Sequence, residues 1–269
     1  MLTEGREGGI EENAESRLRI AELNLKKLPR KAWPSVLCRG EPMCSPKGEI
    51  IMDVLSAIEG RKSIRAFKGD PVPKELIERV LQAAIQAPSS SNQQPWRFFV
   101  VMGSEKERLT EKLLKACKER LLKYDPGKGK TIPQEYVDKT RELFKDIRTY
   151  IQESGNPIKD FVEEGSYQFY HAPVAILVAM EKCFPRSRLV DIGLAAENLM
   201  LAAHALSLGT CALALILACE DVMREELKIP DNLEIILGIA LGYPDTVSPL
   251  YQFKSSRDEL KDIVAWKGF

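Results

Sequence analysis

Residues 71–101 read PVPKELIERVLQAAIQAPSSSNQQPWRFFVV, a helix, a polar loop and a strand in direct succession. Leu76, Val80 and Ala84 recur at helical spacing, and Ile77, Leu81 and Ile85 widen the stripe. Pro73 suits the first turn of that helix and Pro88 marks its end. The loop at 89–94 (SSSNQQ) carries hydroxyls and amides suited to the polar edge of a heterocycle. The β-branched and aromatic run at 97–102 predicts a strand.

Upstream, MDVLSAIEGRKSIRAF (52–67) predicts a short helix ending near Gly60 and then a basic turn. Downstream, helices are predicted at 105–124 and 133–153, separated by DPGKGK, and a strand at 174–180. Residues 189–208 are apolar on nearly every face, the mark of a helix buried in the fold or at a subunit interface. Strands at 210–216 and 235–241, a helix at 219–227 and a strand-like piece at 263–266 complete the pattern. Few strands, many helices and no regular βαβ alternation predict an α+β fold. Residues 1–50, with a charged stretch at 16–28 and then Pro29, Pro34, Pro42 and Pro46, read as an N-terminal extension to a domain at 51–269.

Composition narrows the function classes. The chain has 269 residues, 44% hydrophobic, and its 39 Lys plus Arg equal its 39 Asp plus Glu. No basic surplus directs it to nucleic acid or to an anionic membrane. The uncharged run at 198–219 has the length of a membrane span, but Gly209 divides it, and a buried helix followed by a strand is the expectation. The N-terminus is acidic and polar, unlike a secretory leader, and the six scattered cysteines suit a reducing compartment, so a cytoplasmic protein is expected.

Side-chain chemistry finds little support. Gly129, Lys130 and Thr131 imitate the end of a phosphate loop, but Tyr124 stands where that motif needs glycine. Cys38 and Cys44 lack a zinc spacing, so no metal is expected, and the two histidines, His171 and His204, have no partner at a recognisable spacing. A bound cofactor can carry chemistry that side chains do not. Arg61, Lys62, Ser63 and Arg65 offer guanidinium forks, an ammonium and a hydroxyl to one phosphate, although the group alone fits a solvated turn equally well. Lys254 and Arg257 form a second cationic cluster near the C-terminus.

Five blocks in order, RKSIRAF (61–67), residues 71–101, DIGLAAENLMLAAHALSLGT (191–210), LGIALGYPD (237–245) and FKSSR (253–257), resemble the FMN-dependent nitroreductases. The resemblance covers almost everything from residue 51 onward. It implies a central, mostly antiparallel sheet flanked by helices, in a homodimer whose C-terminal tail crosses to the partner. It implies that Arg61, Lys62, Ser63 and Arg65 hold the FMN phosphate and ribityl chain, with Arg257 and Lys254 completing the phosphate site. Pro88, Ser89, Ser90 and Asn92 approach the flavin from the other subunit, and Leu213, Ala214 and Leu215 match the stretch that presents backbone N–H groups to the flavin edge.

The implied reaction is ping-pong hydride transfer from NADH or NADPH to a small electron-poor aromatic acceptor, a nitro compound or a quinone. A separate dinucleotide-binding domain is not expected, because no G-x-G-x-x-G follows a strand. The insertion at 124–170 is expected to form a lid over the site. Other readings of the same framework are a reductive dehalogenase, a flavin-converting relative or a non-catalytic flavin-binding protein. Two features depart from the family. Residues 211–218 read CALALILA where family members often have glycine, and Tyr251 or Gln252 stands where asparagine is common.

Overall fold

The computed structural model describes residues 43–44, 50–122 and 131–268. The remainder of the predicted N-terminal extension and the turn at 125–130 lie outside the described residues. The chain divides between Asp53 and Val54 into two units. In the first, β1 (Met43–Cys44) and β2 (Ile50–Ile51) pair antiparallel. Everything that follows concerns the second.

That unit is built on four antiparallel strands in the order β3-β4-β6-β5: β3 (Trp96–Met102), β4 (Val174–Glu181), β5 (Gly209–Leu213) and β6 (Leu233–Gly242). The sequence reason is plainest in β4, where VAILVAM is apolar at every position and buried throughout. Successive side chains of a strand point to opposite faces. Val174, Ile176, Val178 and Met180 therefore enter one apolar layer, while Ala175, Leu177 and Ala179 enter the other. A strand apolar on both sides requires a cover on both.

The first layer is closed by α2 (Lys74–Ala84) and α6 (Leu189–Ala205), through Ile77, Val80, Ile192 and Leu199. A short helix, α1 (Val54–Gly60), also packs on α6. The opposite layer is closed by α3 (Gly103–Glu119), α4 (Gln134–Glu153), α5 (Ile158–Tyr167) and α7 (Glu220–Leu227). Two single turns, α8 (Pro249–Gln252) and α9 (Leu260–Ile263), finish the chain.

The α+β architecture expected from the sequence is the one observed. The uncharged run at 198–219 becomes the end of α6, β5 and the turn after it, and among the described residues no helix is long and apolar enough to cross a membrane. Three local expectations are corrected. The strand placed at 210–216 stops at Leu213 and gives way to a tight turn, Leu215–Cys219, because Leu213 opposite Gly238 is the last residue paired with β6. The strand-like piece at 263–266 is not a strand: α9 occupies its start, and among the described residues, 264–268 pair with no strand.

The third correction is α5, a helix the sequence reading missed. Gly165 weakens it as a helical pattern, yet that glycine has a packing reason. A Cβ there would lie 2.7 Å from Cε1 of Tyr170, whose ring folds back onto the helix. We expect Leu177→Ala, which empties a fully buried position between β4 and the α3–α5 layer, to lower stability by about 2–5 kcal/mol. Urea unfolding checks this as a lower midpoint at an unchanged slope.

Candidate functional site

The segment RKSIRAF runs beside the open edge of β5. Ser63 forms a parallel bridge with Thr210, and the Ile64 N–H donates to the Thr210 carbonyl at 2.8 Å. Further on, the Lys68 N–H donates to the Tyr243 carbonyl at 2.9 Å, and the Asp245 N–H to the Ala66 carbonyl at 3.0 Å. Ile64 is buried against Gly209, where a Cβ would come within 2.7 Å of it, so the close approach of segment and strand requires glycine. With Ile64 turned inward, Ser63 and Arg65 face the other way, beside the buried thiol of Cys211.

Four cations gather around this edge. The Arg61 Nε pairs with Glu197 Oε1 at 3.1 Å. The Lys62 ammonium donates to the Tyr251 carbonyl and stands 3.9 Å from the centre of the Tyr251 ring. Lys254 donates to the Glu59 carbonyl at 2.8 Å, and the Arg65 guanidinium lies 5.9 Å from the Tyr170 ring centre. Among the described residues, Arg61–Glu197 is the one ion pair that draws on this set.

Two titrating groups register the resulting positive field. Burial pushes Lys62 below the ordinary lysine range, and the Lys254 ammonium pushes it further. His204 is pushed down by burial and then by Arg61 and Lys62. Crowded cations with little carboxylate to neutralise them are the donor set a phosphate dianion calls for. Arg257, by contrast, hydrogen-bonds within its own turn, to Ser255 Oγ at 2.9 Å and the Ser256 carbonyl at 2.8 Å.

Leu213, Ala214 and Leu215 line a cavity of about 270 Å³. Arg65 and Tyr170 stand at one wall, and Phe144, Phe161 and Phe253 make much of the remainder apolar. Beyond the Arg65, Phe161 and Tyr170 wall lies a second, more polar cavity of about 420 Å³. Ala214 has φ −97° and ψ −22°, an ordinary right-handed conformation, so the missing family glycine leaves no strain here. The Cys211 thiol is held protonated, its affinity raised by burial and only partly offset by Arg65 and the Ser63 hydroxyl, which removes it as a ready nucleophile.

The loop of Pro88, Ser89, Ser90 and Asn92 occupies a different place. The Ser90 N–H donates to Asp191 Oδ2 at 3.3 Å, near the start of α6. Arg61 pairs with Glu197 six residues further along, so the two attachments lie about 9 Å apart on the helix. The loop is exposed from Ser90 to Gln94 and shaped by its own bonds, the Gln94 N–H donating to Ser89 Oγ at 3.0 Å. Sequence reasoning overlooked Tyr170, His204 and Glu197 as parts of this region. Tyr251 was visible only as a departure from the family, and both its carbonyl and its ring engage Lys62.

The fold and the site together define an α+β protein with a cationic, anion-receptive segment laid along one edge of an antiparallel sheet. The family model described as "Nitroreductase family" matches residues 58–243, and the chain belongs to that family. It is 31% identical over 217 residues to a 4-nitrobenzoate reductase of Nocardioides sp. (strain LMS-CY), covering 78% of this chain and 87% of that one. It is 33% identical over 212 residues to the nitroreductase NfnB of Mycolicibacterium smegmatis, covering 77% and 89%. The solved structure of the FMN-dependent nitroreductase NfnB from Mycobacterium smegmatis in complex with NADPH superposes with a TM-score of 0.69 at 28% identity, covering 79% of this chain and 97% of that one.

His204 provides a test of this burial and of the cations beside it. Its folded-state pKa lies below the ordinary imidazole value of about 6.5, so as pH falls the unfolded chain takes up the proton first. The stability it contributes is complete above that value and is lost as pH drops below it. His171, lowered by burial and Lys106, acts in the same direction. The urea midpoint is expected to be lower at about pH 5.5 than at about pH 7.5, and His204→Gln to narrow the difference.

Proposed function

We propose that this protein is an FMN-dependent oxidoreductase that takes hydride from NADH or NADPH and passes it to a small electron-poor acceptor, a nitroaromatic or a quinone. The observation that carries the reading is the joining of four under-neutralised cations to an apolar cavity along a single strand edge. When bound, FMN supplies a carrier of two electrons and a proton that donor and acceptor reach in turn. Arg61, Lys62, Ser63, Arg65 and Lys254 hold its phosphate and ribityl chain, and Arg257 joins them by leaving its own turn.

The backbone at Leu213, Ala214 and Leu215 offers N–H groups to the ring edge, stabilising the negative charge that reduction adds without a titrating side chain. The phenylalanines of the cavity wall exclude water and accept a flat ring, and donor and acceptor taking turns against that wall gives a ping-pong order. The helices of the 124–170 insertion close over the site as a lid: α4 contributes Phe144 and Ile147 to the wall, and α5 contributes Phe161 and Val162. Cys117, Cys183, Cys211 and Cys219 are free thiols, in keeping with a reducing, cytoplasmic setting.

We further propose a homodimer. The largely apolar α6 leaves Val190 66% and Leu194 42% exposed, one turn apart, and α1 leaves Val54 71% and Ile58 51% exposed. Covering these faces with a second copy would bring the Pro88–Asn92 loop of one subunit to the cation cluster of the other, and would give the C-terminal tail a partner to cross to.

Two experiments test these readings. Anaerobic stopped-flow mixing of the FMN-loaded protein with NADH or NADPH is expected to bleach the flavin absorbance, and a nitroaromatic or quinone to restore it. A flavin that stays oxidised with both donors would overturn the oxidoreductase reading. Light scattering is expected to give the mass of two chains, with Leu194→Glu reducing it toward one chain and weakening FMN retention by tenfold or more, about 1.4 kcal/mol.

A further inference from the structure

Tyr167, the last residue of α5, is wholly buried, and its hydroxyl donates to the carbonyl of Leu215 at 3.2 Å. Leu215 opens the tight turn that follows β5 and lines the apolar cavity. We propose that Tyr167 is a positioning residue for the flavin edge: its hydroxyl fixes the peptide after Leu215, and with it the N–H groups that the 213–215 stretch turns toward the ring. The inference rests on the flavin reading given above and adds to it a residue with no direct part in cofactor binding.

The geometry supports it in three ways. First, the turn's own bonding orients the preceding peptide: the Ala214 carbonyl accepts the Leu217 N–H at 3.1 Å. Because a trans peptide points its C=O and N–H in opposite directions, the Leu215 N–H faces away from the turn. A shift of the Leu215 carbonyl would rotate the neighbouring peptides and re-aim that donor.

Second, the hydroxyl is a constant donor. Burial first, and then the neighbouring thiols of Cys219 and Cys117, push Tyr167 far above the ordinary phenol range, so it keeps its proton at every pH at which the protein functions. Third, a comparison residue lies at the other end of the same turn. The Arg120 guanidinium donates to the Ala218 carbonyl at 3.3 Å and pairs with Asp221 at 2.6 Å. Neither Arg120 nor Ala218 lines the cavity. A role in holding the turn together is common to both residues, whereas a role in aiming Leu215 belongs to Tyr167.

The test compares Tyr167→Phe, Arg120→Gln and the parent protein, all FMN-loaded, in three measurements: the FMN dissociation constant by fluorescence, the midpoint potential of the bound flavin, and the rate of reduction by saturating NADPH. Tyr167→Phe is expected to keep FMN affinity within about threefold, since the phosphate contacts are untouched, to make the potential more negative, and to slow reduction by about tenfold at an unchanged donor KM. Arg120→Gln is expected to lower thermal stability and to leave potential and rate unchanged.

Incorporating 3-fluorotyrosine at 167 keeps the hydroxyl and strengthens its donation, so this protein folds even if Tyr167→Phe does not. Its potential is expected to move in the positive direction. The proposal is overturned if Tyr167→Phe matches the parent in potential and rate, or if Arg120→Gln shifts the potential equally. Where the phenylalanine variant does not fold, an unmoved potential with 3-fluorotyrosine overturns it. A parent protein that holds no FMN, or holds FMN that no donor reduces, would sink the flavin reading itself, a result distinguishable from all of these.

Discussion

A sheet covered on both faces has only its edges and ends left to offer a ligand. The burial of β4 from Val174 to Met180, with alternate side chains committed to opposite layers, imposes that condition here. Of the two edge strands, β5 is short and is followed at once by a turn. Residues 61–67 use part of its free hydrogen-bonding edge, and in doing so they place Ser63 and Arg65 beside Cys211. The location of the site therefore follows from the packing of β4, two strands away, as much as from the residues of the site itself.

The electrostatics are local. The whole chain has a formal net charge of zero, yet Arg61, Lys62, Arg65 and Lys254 are crowded at one edge. Like charges held close in a partly buried place cost stability, and burial first, then the neighbouring cations, lower the proton affinities of Lys62 and His204. An anion that neutralises the cluster relieves repulsion as well as gaining hydrogen bonds, so its binding stabilises the fold by mass action. Fixing Lys62 through the Tyr251 carbonyl and ring keeps an ammonium in place without a carboxylate that would compete with the anion.

Much of this was legible in the sequence where a pattern is local. The 71–102 stretch appears as α2, the polar loop and β3, because helical spacing, proline punctuation and β-branched composition all agree there. RKSIRAF could be recognised as a cationic group, but its attachment to Thr210 is a contact between distant residues and has no sequence signature. The helix α5 escaped notice because Gly165 breaks its pattern, and the reason for that glycine, the Tyr170 ring, comes from the left-handed turn that follows. At Ala214 the backbone angle, which composition could not supply, shows that no glycine is needed there.

That angle bears on how α5 relates to the cavity beside it. With φ at −97°, residue 214 needs no glycine, and the 213–215 stretch is held in place by the elements packed against it. One of those elements is α5, which presents Phe161 and Val162 to the cavity from its body and reaches the Leu215 carbonyl from its last residue, Tyr167. A single helix thus shapes both the apolar cavity wall and the turn after β5. An insertion or a change of register in α5 that reshapes the cavity also displaces Tyr167, since the residues of one helix move together. On the reading proposed above, substrate range and the electrostatics of the cofactor edge are not independent properties.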